Sequence, residues 1–280
     1  MIFDLKKIIV DIVKKINIDK NKDMIRHTKY TLGQYVDEIL YVMQNLKSWS
    51  AYRGIFNKKT LYNKHLQLSK NNVFKMAYKE SLDIYLKKNK AYNLKYQSID
   101  TSFVKNKLGC KINDNKIPRN KFYKNKRCIK ISTIVDRNGI PLSLLTLPGN
   151  GNDFPTYRPT IDEYLICPKK DKTSNNNRWK QYFLADKGYD SKAIRDDLKE
   201  KGFIPIIDFN KRRKKNEDVQ KLSDTEKVHY KKRIKVENFF AIAKANVKLD
   251  KLYEKNVDNY NSLLYLFAVK RISNYINNGF

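Results

Sequence analysis

The pattern of hydrophobic and polar positions divides the chain near residue 90. Before that point, apolar residues recur every three or four positions, which predicts amphipathic helices over residues 1–26, 31–49 and 58–88. Beyond it, short apolar or alternating segments are typical of strands. We therefore expect a helical N-terminal region, residues 1–90, followed by a mixed α/β region, residues 91–280.

The second region alternates predicted strands and helices. The strands fall at residues 96–104, 128–136, 141–147, 181–185 and 203–207, and Arg137-Asn138-Gly139 indicates a hairpin between the second and third of them. Helices are predicted at residues 156–165, between a Ser191 cap and Gly202, and at residues 261–276. This order favours a layered α/β architecture.

Residues 230–248 contain neither Pro nor Gly, and we predict one helix of about five turns there. Four polar residues fall on one side of it: Tyr230, Arg233, Glu237 and Lys244. The neighbouring arc is apolar and must be buried: it comprises Val236, Phe239, Phe240, Ala243 and Val247. A carboxylate in this position suits an ion pair with Arg233, its i−4 neighbour, or a site that requires the acid.

Composition and charge narrow the class of partner. The 280 residues include 59 Lys and Arg against 29 Asp and Glu, a formal net charge of +30. Such a charge, spread along the chain, indicates a polyanion partner, although AT-rich codon drift also enriches Lys. The 19 Tyr and 13 Phe indicate a folded protein rather than a disordered basic tail.

The cysteine and hydropathy patterns indicate the cellular compartment in which the protein works. The three cysteines never occur as Cys-x-x-Cys, so neither a disulfide framework nor a structural zinc site is indicated, and a reducing intracellular compartment fits. No apolar run approaches the roughly 18 residues needed to span a bilayer, so we expect no membrane partner.

Three acidic residues stand out by their positions. Asp100 lies inside a predicted strand, Asp186 ends another, and Glu237 borders a buried helix face. Ligands of α/β sheets gather where strands end, so the aspartates can converge on a site that Glu237 completes. Considered singly, Asp186 also suits a turn. Asp100 also suits a helix cap or a polar position at which its hydrogen bonds are satisfied.

Three neighbouring carboxylates repel one another unless a cation neutralises them, and oxygen ligands suit Mg²⁺ or Mn²⁺. A pair of such ions can activate a water or a 3′-hydroxyl and stabilise the leaving oxygen of a phosphodiester displacement. Together with the basic composition, an acidic metal site indicates cleavage of DNA or RNA strands.

Three segments resemble the catalytic segments of DDE transposases from bacterial insertion sequences: Ser98-Ile99-Asp100-Thr101-Ser102, residues 184–190, and the helix that begins at Tyr230. In that helix, Tyr, two residues, Arg, three residues, Glu, six residues and Lys match the Y-R-E-K signature of the family without a gap. The resemblance extends from about residue 49 to the C-terminus and includes residues 130–141, which are similar to the second and third strands of the family.

The resemblance implies an RNase H-like fold with flanking helices, preceded by a small helical N-terminal region. It further implies that Asp100, Asp186 and Glu237 are the catalytic residues and hold two Mg²⁺ ions, which Mn²⁺ can replace. The DNA-binding residues that it implies, through contacts with transposon-end phosphates, are Tyr230, Arg233 and Lys244.

The implied function is a DNA transposase that cuts the ends of a mobile element and joins their 3′-hydroxyls to target DNA. Residues 1–90 are expected to bind the double-stranded DNA ends, and the chain is expected to act as a homodimer on DNA, inside the cell with the genome. Two alternatives stay open: a hydrolytic nuclease on the same fold, and a domesticated DNA-binding protein.

The chain departs from the family at two places. Many relatives have a His before the acid in the loop after the third strand, whereas this chain has Asn152-Asp153, which leaves the role of that loop open. The connection between Asp186 and Glu237 is too short for the large β-rich insertion of some relatives. Formation of hairpin-ended intermediates therefore also stays open.

Overall fold

The computed structural model describes residues 4–20, 29–87, 90–109, 111–112, 115–164, 180–210 and 221–278. The helices of these residues are α1 (Leu5–Lys20), α2 (Leu32–Asn45), α3 (Lys58–Lys70), α4 (Val73–Lys87), α5 (Lys90–Asn93), α6 (Tyr157–Tyr164), α7 (Lys192–Glu200), α8 (Asp224–Tyr230), α9 (Ile234–Lys244), α10 (Val247–Asp250) and α11 (Val257–Asn278). The strands are β1 (Tyr96–Asn106), β2 (Lys111–Ile112), β3 (Asn115–Lys116), β4 (Arg119–Asn120), β5 (Lys126–Val135), β6 (Pro141–Pro148), β7 (Tyr182–Ala185), β8 (Ile204–Ile207) and β9 (Lys251–Leu252).

The chain forms two compact units. The first comprises residues 1–88, 104–129 and 242–280, and the second comprises residues 89–103 and 130–241. Strands β1 and β5 each contribute residues to both units.

Helices dominate the first unit. Helix α4 packs along α11, and α1 packs against both α2 and α4. The predicted apolar face of α1 is buried, and it comprises Ile8, Ile9, Ile12, Val13 and Ile16. These helices confirm the helical N-terminal region, and the last part of the first predicted helix, residues 21–26, lies outside the described residues.

One predicted helix, over residues 58–88, is wrong as a single element, because α3 and α4 divide at Asn71-Asn72. The Asn71 side-chain amide donates to the Gln67 carbonyl at 2.8 Å, which satisfies an end of α3. Asn72 then has a φ of 56°, a left-handed conformation that Asn tolerates better than most residues and that ends a helix.

The sheet of the second unit has the order β6-β5-β1-β7-β8. The short connection after β5 requires β6 to pair with it in the antiparallel direction. Strand β7 pairs parallel with β1, and β8 pairs parallel with β7. Helix α6 packs on β6, whereas α7 and α8 pack on β8. This mixed sheet with flanking helices confirms the RNase H-like fold class.

The predicted continuous helix over residues 230–248 is also wrong. Helix α8 ends at Tyr230, a 3₁₀ turn spans Lys231–Arg233, and α9 follows. Helix α9 in turn ends at Lys244, because the Asn246 side-chain amide donates to the carbonyls of Ile242, at 3.0 Å, and Ala243, at 3.1 Å. The turn matters for the site, because side chains three residues apart eclipse in a 3₁₀ helix.

None of the described helices is both long and apolar enough to cross a membrane.

Candidate active site

Asp100 lies within β1, and Asp186 directly follows β7, its parallel neighbour. In the pairing of β1 with β7, Ser98 lies beside Leu184. Two residues further along each strand, the same register reaches Asp100 and Asp186. The Thr101 amide donates to Asp100 Oδ1 at 2.8 Å, and the next amide after Asp186 donates to Asp186 Oδ1 at 2.7 Å. Each carboxylate is therefore oriented by the backbone that follows it.

Arg233 connects the first of these acids with Glu237. Its Nη1 donates to Asp100 Oδ2 at 2.7 Å, and its Nη2 donates to Glu237 Oε1. The side chains of Arg233 and Asp100 are 16% and 21% exposed, whereas that of Glu237 is 47% exposed. The guanidinium therefore lies between a largely buried carboxylate and an exposed one.

The Asp100 carboxyl has a perturbed acidity. Burial raises its pKa to about 6, although the charge of Arg233 and the hydrogen bond from Thr101 oppose the rise, and the charge of Asp186 adds to it. One guanidinium does not compensate for the loss of hydration. Positive charge in addition to that of Arg233 would favour the ionised form of Asp100.

Tyr230 anchors the helical segment against the sheet. It packs on a buried cluster that contains Tyr96, Leu184 and Ile206, and burial raises its pKa to about 12. The 3₁₀ turn places Arg233 three residues later on the same side, with its guanidinium 5.8 Å from the centre of the Tyr230 ring. The turn thus directs Arg233 toward the strand ends.

His229, which no sequence motif singled out, supports the same segment. Its Nδ1 lies 2.9 Å from the Tyr96 hydroxyl, and its ring stacks on Tyr182 at 4.1 Å. These contacts fix the end of α8 to β1 and β7. In the sequence, the position of His229 directly before Tyr230 was the signal from which this supporting role could have been predicted.

Lys244 is the predicted site residue that is not grouped with the others. Asp100, Asp186, Tyr230, Arg233 and Glu237 belong to the second unit, whereas Lys244, the last residue of α9, belongs to the first. It is half-buried, and burial lowers its pKa against an opposing effect of Asp250.

The donor chemistry of the site fits a divalent cation. Asp100, Asp186 and Glu237 offer only oxygen ligands, and three ionised carboxylates beside one guanidinium leave an excess of negative charge. Within the described residues, no three acidic, His or Cys side chains surround a single point, since Arg233 lies between Asp100 and Glu237.

Lys130, Thr101 and Asp153 lie together beside Asp100, and no sequence pattern had assigned them a function. The Lys130 Nζ donates to Asp153 Oδ1 at 2.7 Å, and the Thr101 hydroxyl donates to the same oxygen at 2.6 Å. The available signal was a lysine inside the apolar run Ile129-Lys130-Ile131, because a charge inside a buried strand requires a partner.

Comparison with known proteins identifies the family. Neither the curated proteins nor the solved structures contain a significant match to the chain. A family model described as a transposase DDE domain matches residues 97–269. This match covers more than half of the chain and includes Asp100, Asp186 and the whole segment from Tyr230 to Lys244, so the chain belongs to the DDE transposase family.

Proposed function

We propose that the protein cuts DNA strands at the ends of a mobile element and joins the freed 3′-hydroxyls to target DNA, with Asp100, Asp186 and Glu237 as catalytic residues. The observation that carries the proposal is the parallel register of β1 and β7, which brings Asp100, within β1, beside Asp186, the residue directly after β7. Arg233 links one of them to Glu237. Membership of the family supports a DNA substrate.

In the proposed site, Asp100, Asp186 and Glu237 would hold two Mg²⁺ ions, for which Mn²⁺ can substitute. Bound ions of this kind activate the attacking oxygen and stabilise the leaving oxygen of a phosphodiester displacement. Asp100 and Asp186 are already oriented by backbone amides, whereas Glu237 is exposed and shares Arg233 with Asp100. Tyr230, Arg233 and Lys244 are proposed to contact phosphates of the element end.

A cationic region of the first unit supports contact with the DNA backbone. Lys105 lies opposite Lys251 in the pairing of β1 with β9, and like charges at such positions repel. Crowding by Lys107 and Lys126 lowers the pKa of Lys105. Asp250 offsets part of this charge, since it forms an ion pair with Lys251 at 2.6 Å. A polyanion would relieve the remaining repulsion.

The wider organisation is also a proposal. The region of residues 1–90 would bind the terminal repeats, residues 91–280 would carry out the chemistry, and two chains would act on paired ends. Such an enzyme works inside the cell, where the genome lies.

The test uses labelled DNA that carries the flanking ends of the element, either intact or pre-cut, incubated with Mg²⁺, Mn²⁺ or EDTA. The proposal predicts cut and joined products with either metal and none with EDTA. A chain that cuts but never joins pre-cut ends would be a hydrolytic nuclease. One that binds DNA and cuts nothing under any metal would be a domesticated DNA-binding protein.

A further inference from the structure

An ion pair between a buried lysine and a partly exposed aspartate lies beside the part of β1 that carries Asp100. The Lys130 side chain is 2% exposed, and its Nζ donates to Asp153 Oδ1 at 2.7 Å. The same Nζ donates to the Gly151 carbonyl at 2.6 Å and lies 4.9 Å from the centre of the Phe103 ring. A lysine is seldom buried so completely unless it is paired, so its charge fixes the loop that contains Gly151 and Asp153.

Thr101 connects this fixed loop to Asp100 through two hydrogen bonds. Its hydroxyl donates to Asp153 Oδ1 at 2.6 Å, and its amide donates to Asp100 Oδ1 at 2.8 Å. One residue therefore contacts the loop carboxylate through its side chain and the Asp100 carboxylate through its backbone. Any displacement of Asp153 would alter the hydrogen bond that orients Asp100.

The same loop residue contacts the turn that follows Asp186. The Asp153 carbonyl accepts a 2.6 Å hydrogen bond from the Thr156 hydroxyl, which lies 3.1 Å from the hydroxyl of buried Tyr189. A Cβ added at Gly188 would lie 3.3 Å from Asp153 Oδ2. Glycine therefore permits this close approach, and Asp153 contacts the surroundings of both aspartates.

We propose that Lys130, Asp153 and Thr101 form a positioning clamp, which holds Asp100 and Asp186 in the relative placement that the reaction needs. The clamp rests on the proposed function, since it concerns the same site. Lys130 neutralises Asp153, so that a fourth carboxylate can lie at this end of the sheet without adding net negative charge. None of the three residues is assigned a contact with substrate.

The expected effect of the clamp is large because catalytic groups must be placed accurately. A displacement of about 1 Å can lower a rate by about 100-fold. Loss of the Thr101 hydroxyl should therefore reduce the turnover rate rather than the affinity for DNA. It should also weaken the binding of a divalent ion to Asp100 and Asp186 in the absence of DNA.

The test compares Thr101→Val, which removes the hydroxyl and keeps the branched shape, with Thr101→Ser, which keeps the hydroxyl. Thr133→Val is the matched control, because the buried Thr133 hydroxyl donates to the Ser143 carbonyl at 2.7 Å, outside the clamp. For each variant, DNA affinity, the rate of strand cleavage, urea unfolding and a titration with Mn²⁺ alone are measured.

The clamp predicts that Thr101→Val slows cleavage and weakens Mn²⁺ binding, each by about tenfold or more, at unchanged DNA affinity. For Thr101→Ser, the cleavage rate and the Mn²⁺ affinity should both lie within about threefold of the wild-type values. Thr133→Val should lower the free energy of unfolding and leave the cleavage rate and the Mn²⁺ affinity unchanged. Wild-type values for Thr101→Val, or equal losses in Thr133→Val, would overturn the clamp.

Failure of the proposed function gives a different result. If the wild type binds Mn²⁺ but cuts no DNA, the proposed chemistry is wrong, and the clamp stands or falls on the Mn²⁺ titration of the Thr101 variants. A wild type that binds no Mn²⁺ and cuts no DNA would overturn both proposals.

Discussion

At Asp100, burial and ion pairing shift the pKa of one carboxyl group in opposite directions. Burial disfavours the charge, whereas Arg233 and the Thr101 amide favour it, and the balance leaves a pKa of about 6. A carboxyl with this pKa is mostly ionised at neutral pH, but its ionisation in the folded protein lowers the free energy of unfolding. The residue is therefore suited to bind a cation, which would reverse the balance.

This acidity makes the stability of the metal-free protein depend on pH. Because the pKa of Asp100 is raised on folding, the native state binds more protons between about pH 4 and pH 6, and stability falls as pH rises through that window. Asp100→Asn lacks this dependence. In EDTA it should be more stable than the wild type at pH 7, by about 2–3 kcal/mol, and this advantage should vanish at pH 4.

Urea unfolding of the wild type and Asp100→Asn at pH 7, 6, 5 and 4 checks this expectation. Asp162→Asn is the control, since Asp162 is exposed and pairs with exposed Arg158. A stability difference between wild type and Asp100→Asn that does not change with pH would contradict the assigned cause.

At this scale, the sequence pointed to the acids but not to their partners. Asp100 places a charge inside a predicted strand, and Glu237 borders a buried face, so both were recognisable from the sequence. The link from Arg233 to Asp100 joins residues far apart in the chain, and no local pattern reports it. The same holds for Lys130, whose partner Asp153 lies beyond the β5-β6 hairpin.

Helix α9 has a buried side and an exposed side. Val236 and Phe239 are fully buried, and Phe240 is 7% exposed, as its predicted apolar arc requires. Ile234, at the start of the same helix, is 48% exposed. The helix therefore presents Glu237 at the edge of a face that cannot move without loss of packing.

Phe239→Asp should unfold the protein or lower its free energy of unfolding by about 4 kcal/mol or more, because it places an unpaired charge in the core and removes a large apolar side chain. Ile234→Asp, at the exposed position, should change it by less than about 1 kcal/mol. Circular dichroism and urea unfolding compare the two variants. A folded Phe239→Asp of normal stability would show that the buried arc is wrongly assigned.

The element boundaries show what periodicity cannot predict. Lys231, Lys232 and Arg233 favour helix, so nothing in their propensity indicated the 3₁₀ turn that aims Arg233 at Asp100. The break at Asn71-Asn72 had a signal, because Asn is enriched in left-handed conformations. Strands β4 and β9 contain two residues each and are too short for any periodic pattern.

Over the whole molecule, charge determines how DNA should bind. The net charge of +30 predicts strong affinity at low salt and a steep loss as counterions compete. Each lysine that contacts a phosphate contributes about one unit to the slope of log affinity against log salt concentration. The crowded lysines of the first unit are the place where this contribution can be measured.

The double variant Lys105→Ala, Lys126→Ala should reduce that slope by about two and weaken binding equally for element ends and unrelated DNA. Lys199→Ala, an exposed lysine beside Glu200, is the control and should leave the slope unchanged. Fluorescence anisotropy at several salt concentrations provides the measurement. An unchanged slope in the double variant would remove these lysines from the DNA-binding surface.

In the proposed reaction, Asp100, Asp186 and Glu237 act as one catalytic site. The most direct test is the cleavage rate of element-end DNA by Asp100→Asn, Asp186→Asn, Glu237→Gln and the pairwise double variants, with Glu200→Gln as control. Each single variant should lose about 10³-fold or more of the rate, the doubles should lose little beyond that, and DNA affinity should persist. Cleavage within about tenfold of wild type by any of the three single variants would contradict the account.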